Sequence, residues 1–282
     1  LLSAVVLLFP LLAWLKLGKG PGSFRDTPWS LRLPDSVVVT DLGQPLRRNP
    51  RGWVHGLIGF TVAGGLLVAA GWVMIQAGLF IWKDAAESTR GTANPFPTEI
   101  EWGKAARKAF PTAVIVSLIE EVLFRGVLLG IFLRAMKPAP AVAALSFLFA
   151  FVHFLEPPVG AAVPDPEAGN AGFVLLGQIF GRFAEPMSLL SRFSVLAAVG
   201  VVLAVARIRT ASLWLPIGIH AGWVFAFALF KAATWPVADL PESTRWLVGL
   251  TLLEGILPLI MVVITGLVVN AIVRRSDEPA VS

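Results

Sequence analysis

One stretch of the chain reads SLIEEVLFRGVLLG, and its three charges sit inside an apolar run long enough to cross a bilayer. A charge at that depth costs about 2.5–3.5 kcal/mol on insertion scales, so three in one segment point to function. Glu121 and Arg125 are four residues apart, share one helical face and can pair. Glu120 points about 100° away from Glu121 and has no local partner. A structural ion pair accounts for Glu121 and Arg125, but it leaves Glu120 over. Two carboxylates beside one arginine keep a negative charge, which is what a general base needs to draw a proton from water.

The chain has only three histidines. His55 opens an apolar run and reads as an interfacial residue. His153, in FLFAFVHF, and His220, in PIGIHAGWVF, lie on runs separate from the two glutamates. Gly218 and Gly222 flank His220 as a GxxxG, and Gly126 with Gly130 form another after Arg125. Small residues at that spacing let helices approach closely, so a crossing of these two runs is expected to bring Glu120 to His220. A carboxylate and two imidazoles can activate a water and stabilise an anion. The same three residues, Glu120, His153 and His220, could instead ligate zinc. Ser117 reads as a packing hydroxyl, and Glu254 as a lone acid in the last run. There is no G-x-S-x-G or H-E-x-x-H motif and no cysteine, which removes those nucleophile and zinc patterns and all thiol chemistry.

The elements that must position these residues are membrane helices. Of the 282 residues, 56% are apolar and 15% charged, where a soluble domain carries about 25% charged. The expected fold is an all-α, polytopic transmembrane bundle of about seven spans, with six to eight as the range. The candidate spans cover 1–15, 53–82, 110–133, 139–155, 187–206, 211–230 and 246–273. The first competes with a signal peptide, but Lys16 and Lys19 close it like an anchor. Residues 172–183 are apolar but too short to span, and are expected to form an interfacial or re-entrant helix. The chain divides into 1–109 (anchor, basic loop, second span and polar loop), a core at 110–230, and 231–282 (last loop, last span and basic tail).

The net charge of +5 reads as a topology signal, and no nucleic-acid partner is expected. Residues 16–52 hold seven Lys/Arg against three Asp, and the turns at 134–138 and 207–210 carry Arg134, Lys137, Arg207 and Arg209. With seven spans these segments share one side with the tail, so the C-terminus is expected in the cytoplasm. Arginine supplies 16 of the 23 basic residues, a bias that fits a GC-rich bacterial genome, so the expected location is a bacterial inner membrane. Counting along the spans puts Glu120, His153 and His220 at the midplane or in the outer half of the bilayer.

Taken in order, these motifs resemble the CPBP family of intramembrane proteases, which includes CAAX prenyl endopeptidases and bacteriocin-processing or immunity (Abi) proteins. The family's E-E-x-x-x-R is matched by Glu120, Glu121 and Arg125, its F-x-x-x-H by Phe149 and His153, and the His of its H-x-x-x-N by His220, with Val224 at the Asn position. The resemblance covers about 110–230. It implies that Glu120 with His153 activates a water, that His220 stabilises the oxyanion, and that Glu121, Arg125 and Phe149 support the site. No cofactor is then required, with zinc as the alternative. The implied partners are the lipid bilayer and a peptide or protein substrate cut near the membrane. Two rival readings are a proton-coupled transporter using the same polar residues as a relay, and a protease-like immunity or scaffold protein that binds without cutting.

Overall fold

The computed structural model describes residues 52–83, 101–155, 162–181, 186–237, 244 and 252–277. It is a bundle of apolar helices. Helix α1 (Gly52–Gln76) leads to a short strand β1 (Phe80–Trp82), and α2 follows at Trp102–Glu121. A π-helical segment (Val122–Leu128) then joins α2 to α3 (Leu129–Ala135). Next come α4 (Pro138–His153), α5 (Ala171–Gly181), α6 (Pro186–Thr210), α7 (Trp214–Ala233), β2 (Thr234–Pro236) and α8 (Ile256–Asp277). Among the described residues, Gly52–Gln76, Leu189–Thr210 and Trp214–Ala233 are long and apolar enough to cross a membrane. Pro138–His153, Ala171–Gly181 and Ile256–Ile272 are shorter apolar helices.

The sequence explains several boundaries. Lys137 is extended and Pro138 takes the first turn of α4, where its missing N–H costs nothing. Gly78 adopts φ +71° just after α1, which turns the chain into β1. That strand pairs antiparallel with β2, with Ile81 opposite Trp235. The second span therefore ends at Gln76 instead of running to residue 82, and a two-stranded ribbon joins an otherwise helical fold. Helix α2 starts at Trp102, inside the polar segment 83–109 and ahead of the apolar run that begins at 110. The last helix starts late. Gly255 has φ +101°, and Glu254 lies in the preceding turn rather than in the span. The helix expected at 172–183 is present as α5. The candidate span at 1–15 and the basic loop after it lie outside the described residues.

Glycines let α1 and α7 pack backbone to backbone. A Cβ at Gly222 would lie 2.5 Å from the Phe60 carbonyl oxygen, and one at Gly59 would lie 2.8 Å from the Ile219 nitrogen. The GxxxG of α7 therefore meets α1 and not the helix that carries Glu120. Ala63, Val195, Leu203, Leu215, Ile219, Trp223 and Val262 form one core among α1, α6, α7 and α8. A second core, of Phe124, Leu129, Leu133, Ala141, Leu145, Phe149 and Ala204, ties the π segment and α3 to α4 and α6.

Candidate active site

The site forms where the end of α2 and the π segment meet α4, α6 and α7. Buried residues Ala109, Ala113, Ser117, Glu120 and Glu121 trace the inward face of α2. His220 projects from the side of α7 turned away from the glycine contact, and so reaches α2. His153 is the last residue of α4.

Glu121 and Arg125 pair as their spacing suggests, with Arg125 Nη1 2.9 Å from Glu121 Oε1 and both side chains fully buried. The Arg125 guanidinium also stacks 4.3 Å from the Phe149 ring centre, a cation–π contact that helps to offset its burial. Its Nη2 donates to the carbonyl of Gly200 on α6 at 3.4 Å. The same Glu121 oxygen lies 2.8 Å from His220 Nδ1. The Glu121 carboxylate therefore holds a guanidinium and an imidazole together.

Glu120 stands apart from that pair. Its Oε2 is 3.8 Å from His153 Nε2 and 3.9 Å from His220 Nε2, too far for direct hydrogen bonds, and it has no hydrogen-bond partner. His153 Nδ1 lies 2.7 Å from the Phe149 carbonyl oxygen. A carbonyl only accepts, so Nδ1 carries the hydrogen and the lone pair of the neutral ring is on Nε2, facing Glu120. His220 is set the same way by Glu121. Three acceptors then converge on one point. The His153 side chain is 23% exposed, against 5% for Glu120 and 9% for His220, so the site opens beside His153.

All six residues singled out in the sequence, Glu120, Glu121, Arg125, Phe149, His153 and His220, thus gather in one place. His55, in the first turn of α1, is buried against its protein neighbours. Val224 follows His220 by one turn of α7. Three contributors were not read from the sequence. The first is the π segment. The second is Gly200, where a Cβ would sit 2.8 Å from Ser146 and would push α6 off α4. The third is Arg207, which reads as a loop charge but is 3% exposed and donates from Nε to the Arg125 carbonyl at 3.3 Å. No pattern in the sequence marks the π segment or Gly200. A basic residue at Arg207, three positions before the helix end, is a signal only once α6 is known to run to Thr210.

This arrangement defines a buried carboxylate–imidazole centre in a membrane helix bundle. Residues 103–226 match the Rce1-like family of type II CAAX prenyl endopeptidases. The match agrees with the family that the sequence motifs resemble, and it spans the residues that carry Glu120, Glu121, Arg125, His153 and His220. Comparisons with curated proteins and with solved structures gave no significant match.

Proposed function

We propose that the protein is an intramembrane endopeptidase that hydrolyses a peptide bond near the membrane end of an anchored or exported protein, using a water activated by Glu120. The observation that carries this reading is the unpartnered Glu120 Oε2 facing His153 Nε2 and His220 Nε2 at 3.8 and 3.9 Å. A separation of that size suits a bridging water. Such a water donates one hydrogen to Glu120 and the other to His153 Nε2, leaving its lone pairs free to attack the scissile carbonyl. Glu120 takes the proton as the C–O bond forms and returns it to the leaving amine as the C–N bond breaks. His220 can donate to the oxyanion only with a second proton on Nε2, and the Glu121 carboxylate at Nδ1 is the counter-charge for that form, as in an Asp–His pair.

Zinc would have to use Glu120, His153 and His220. The Oε2 of Glu120 faces the Nε2 atoms of His153 and His220 at 3.8 and 3.9 Å, and the steps above use the chain's own groups. The basic turns support an orientation with a cytoplasmic C-terminus, and the membrane we propose is a bacterial inner membrane.

The test is release of a cleaved product from tagged, membrane-anchored candidate substrates, including CAAX-type tails, by the purified protein in proteoliposomes. Product with the wild type and none with Glu120→Gln supports the reading. Solute uptake without cleavage in the same vesicles would favour the transporter instead.

A further inference from the structure

We propose that Arg207 is a positioning residue of this centre: it holds the backbone carbonyl of Arg125, which the π segment leaves over, and thereby fixes the direction in which Glu120 and Glu121 face the histidines. The inference rests on the protease reading above. It starts from the helix ladder. The N–H of Leu129 reaches the Phe124 carbonyl, five residues back, and from Leu129 the chain is α-helical again. Where a ladder returns from five-residue to four-residue steps, one carbonyl is passed over. The next in line after Phe124 is that of Arg125, and Arg207 Nε donates to that oxygen at 3.3 Å.

The partner comes from a prepared surface. Gly200 and Arg207 are seven residues apart on α6 and so share a face. Gly200 accepts from the Arg125 side chain, and Arg207 donates to the Arg125 backbone. Helix α6 grips one residue at both ends, and that residue pairs with Glu121.

The π turn also has a geometric effect. One extra residue rotates the helix before it by about 100° relative to the helix after it. The part after it is anchored, since Leu129 and Leu133 pack in the core shared with α4 and α6. The widened turn therefore sets the angle of Glu120 and Glu121 against that anchored part. π turns inside helices recur at functional sites, and a buried carbonyl without a donor is costly, so removing the donor loosens the π segment and the angle it sets. A charge that served only to set topology would need no such contact, and lysine would replace it fully. Lysine carries no donor at the Nε position, so a positioning role predicts only partial replacement.

The experiment uses the full chain in proteoliposomes, with Arg207→Gln and Arg207→Lys. It reads kcat and KM separately, together with amide hydrogen exchange over 122–130. In Arg207→Gln, exchange across the π segment should quicken about tenfold or more. The kcat should fall about 10²-fold, the usual effect of a displacement near 1 Å, while KM stays within about twofold. Arg207→Lys should fall between that variant and the wild type on both readouts. Wild-type exchange and wild-type kcat in Arg207→Gln overturn the proposal. If that variant fails to insert, Arg207→Lys decides: wild-type values in it also overturn the proposal, and intermediate values support it. If the wild type cleaves nothing, the protease reading fails separately, and Arg207 is judged on exchange alone, with unchanged exchange overturning it.

Discussion

Glu121 Oε1 lies 2.8 Å from His220 Nδ1, so the residue that pairs with Arg125 also orients an imidazole that faces Glu120. This changes the meaning of the buried ion pair. As a structural pair, Glu121 and Arg125 would be replaceable together, since removing both charges strands neither. With His220 attached, the double replacement can restore stability but cannot restore the ring's partner.

The expected result follows from that split. Glu121→Gln and Arg125→Leu should each destabilise the protein by about 3–5 kcal/mol, the usual cost of stranding one buried charge. The double variant should recover part of the melting temperature while staying inactive. Thermal melts in detergent and product release in vesicles check the two halves. A double variant that regains both stability and cleavage would show that His220 does not depend on Glu121.

Glu120→Gln separates chemistry from folding more sharply. Glu120 makes no hydrogen bond through Oε2, so the amide removes no contact there and the melting temperature should change little. Loss of a general base lowers the rate by about 10²–10⁴-fold. A variant that keeps more than about a tenth of wild-type cleavage would remove Glu120 from the role of base.

The metal question is decided by chelation. The mechanism through Glu120 predicts unchanged cleavage after prolonged treatment with a membrane-permeant zinc chelator. Loss of activity, restored by stoichiometric zinc, would reassign Glu120, His153 and His220 as ligands.

Much of this site was legible in the sequence because buried charge is costly in a bilayer and rarely accidental. Glu120, Glu121, Arg125, His153 and His220 stand out against apolar neighbours, and four-residue spacing tied Glu121 to Arg125. What escaped depends on backbone geometry that residue types do not encode. The π segment has an ordinary composition, VLFRGVL. Gly200 matters only because Ser146 lies against it. The glycines of α7 were read correctly as a close contact, but periodicity alone does not say which neighbouring helix they meet.

That contact makes a paired prediction on glycine. A Cβ at Gly218 would fall on the backbone of Gly56, with the carbonyl carbon at 2.7 Å. Gly218→Ala must therefore separate α1 from α7 or fail to fold, at about 1–3 kcal/mol for overpacking. Gly65 has nothing within 4 Å of the same position, so Gly65→Ala should leave the melting temperature level or raise it. Equal melting temperatures for the two variants would mean that the α1–α7 contact is looser than this geometry.

The last prediction concerns orientation, where the structure narrows the basis for a cytoplasmic C-terminus. Arg207 is buried against the π segment, and Arg134 is part-buried and donates to the Gly130 carbonyl at 2.8 Å. The positive-inside signal in the two short turns then rests mainly on Lys137 and Arg209. Helix α4 offers a direct test, because its ends lie on opposite sides of the argument. Lys137 precedes its first residue, and the exposed Leu155 follows His153. At 1.5 Å per residue the two positions are about 27 Å apart, close to the thickness of a hydrocarbon core of about 30 Å. The chain has no cysteine, so Lys137→Cys and Leu155→Cys each carry one label site. In intact cells a membrane-impermeant thiol reagent should label position 155 and spare position 137, and permeabilisation should expose both. Since the site opens beside His153, that outcome would also place the entry for water and peptide on the outer side. Labelling of position 137 alone in intact cells would reverse the orientation and bring substrate in from the cytoplasm.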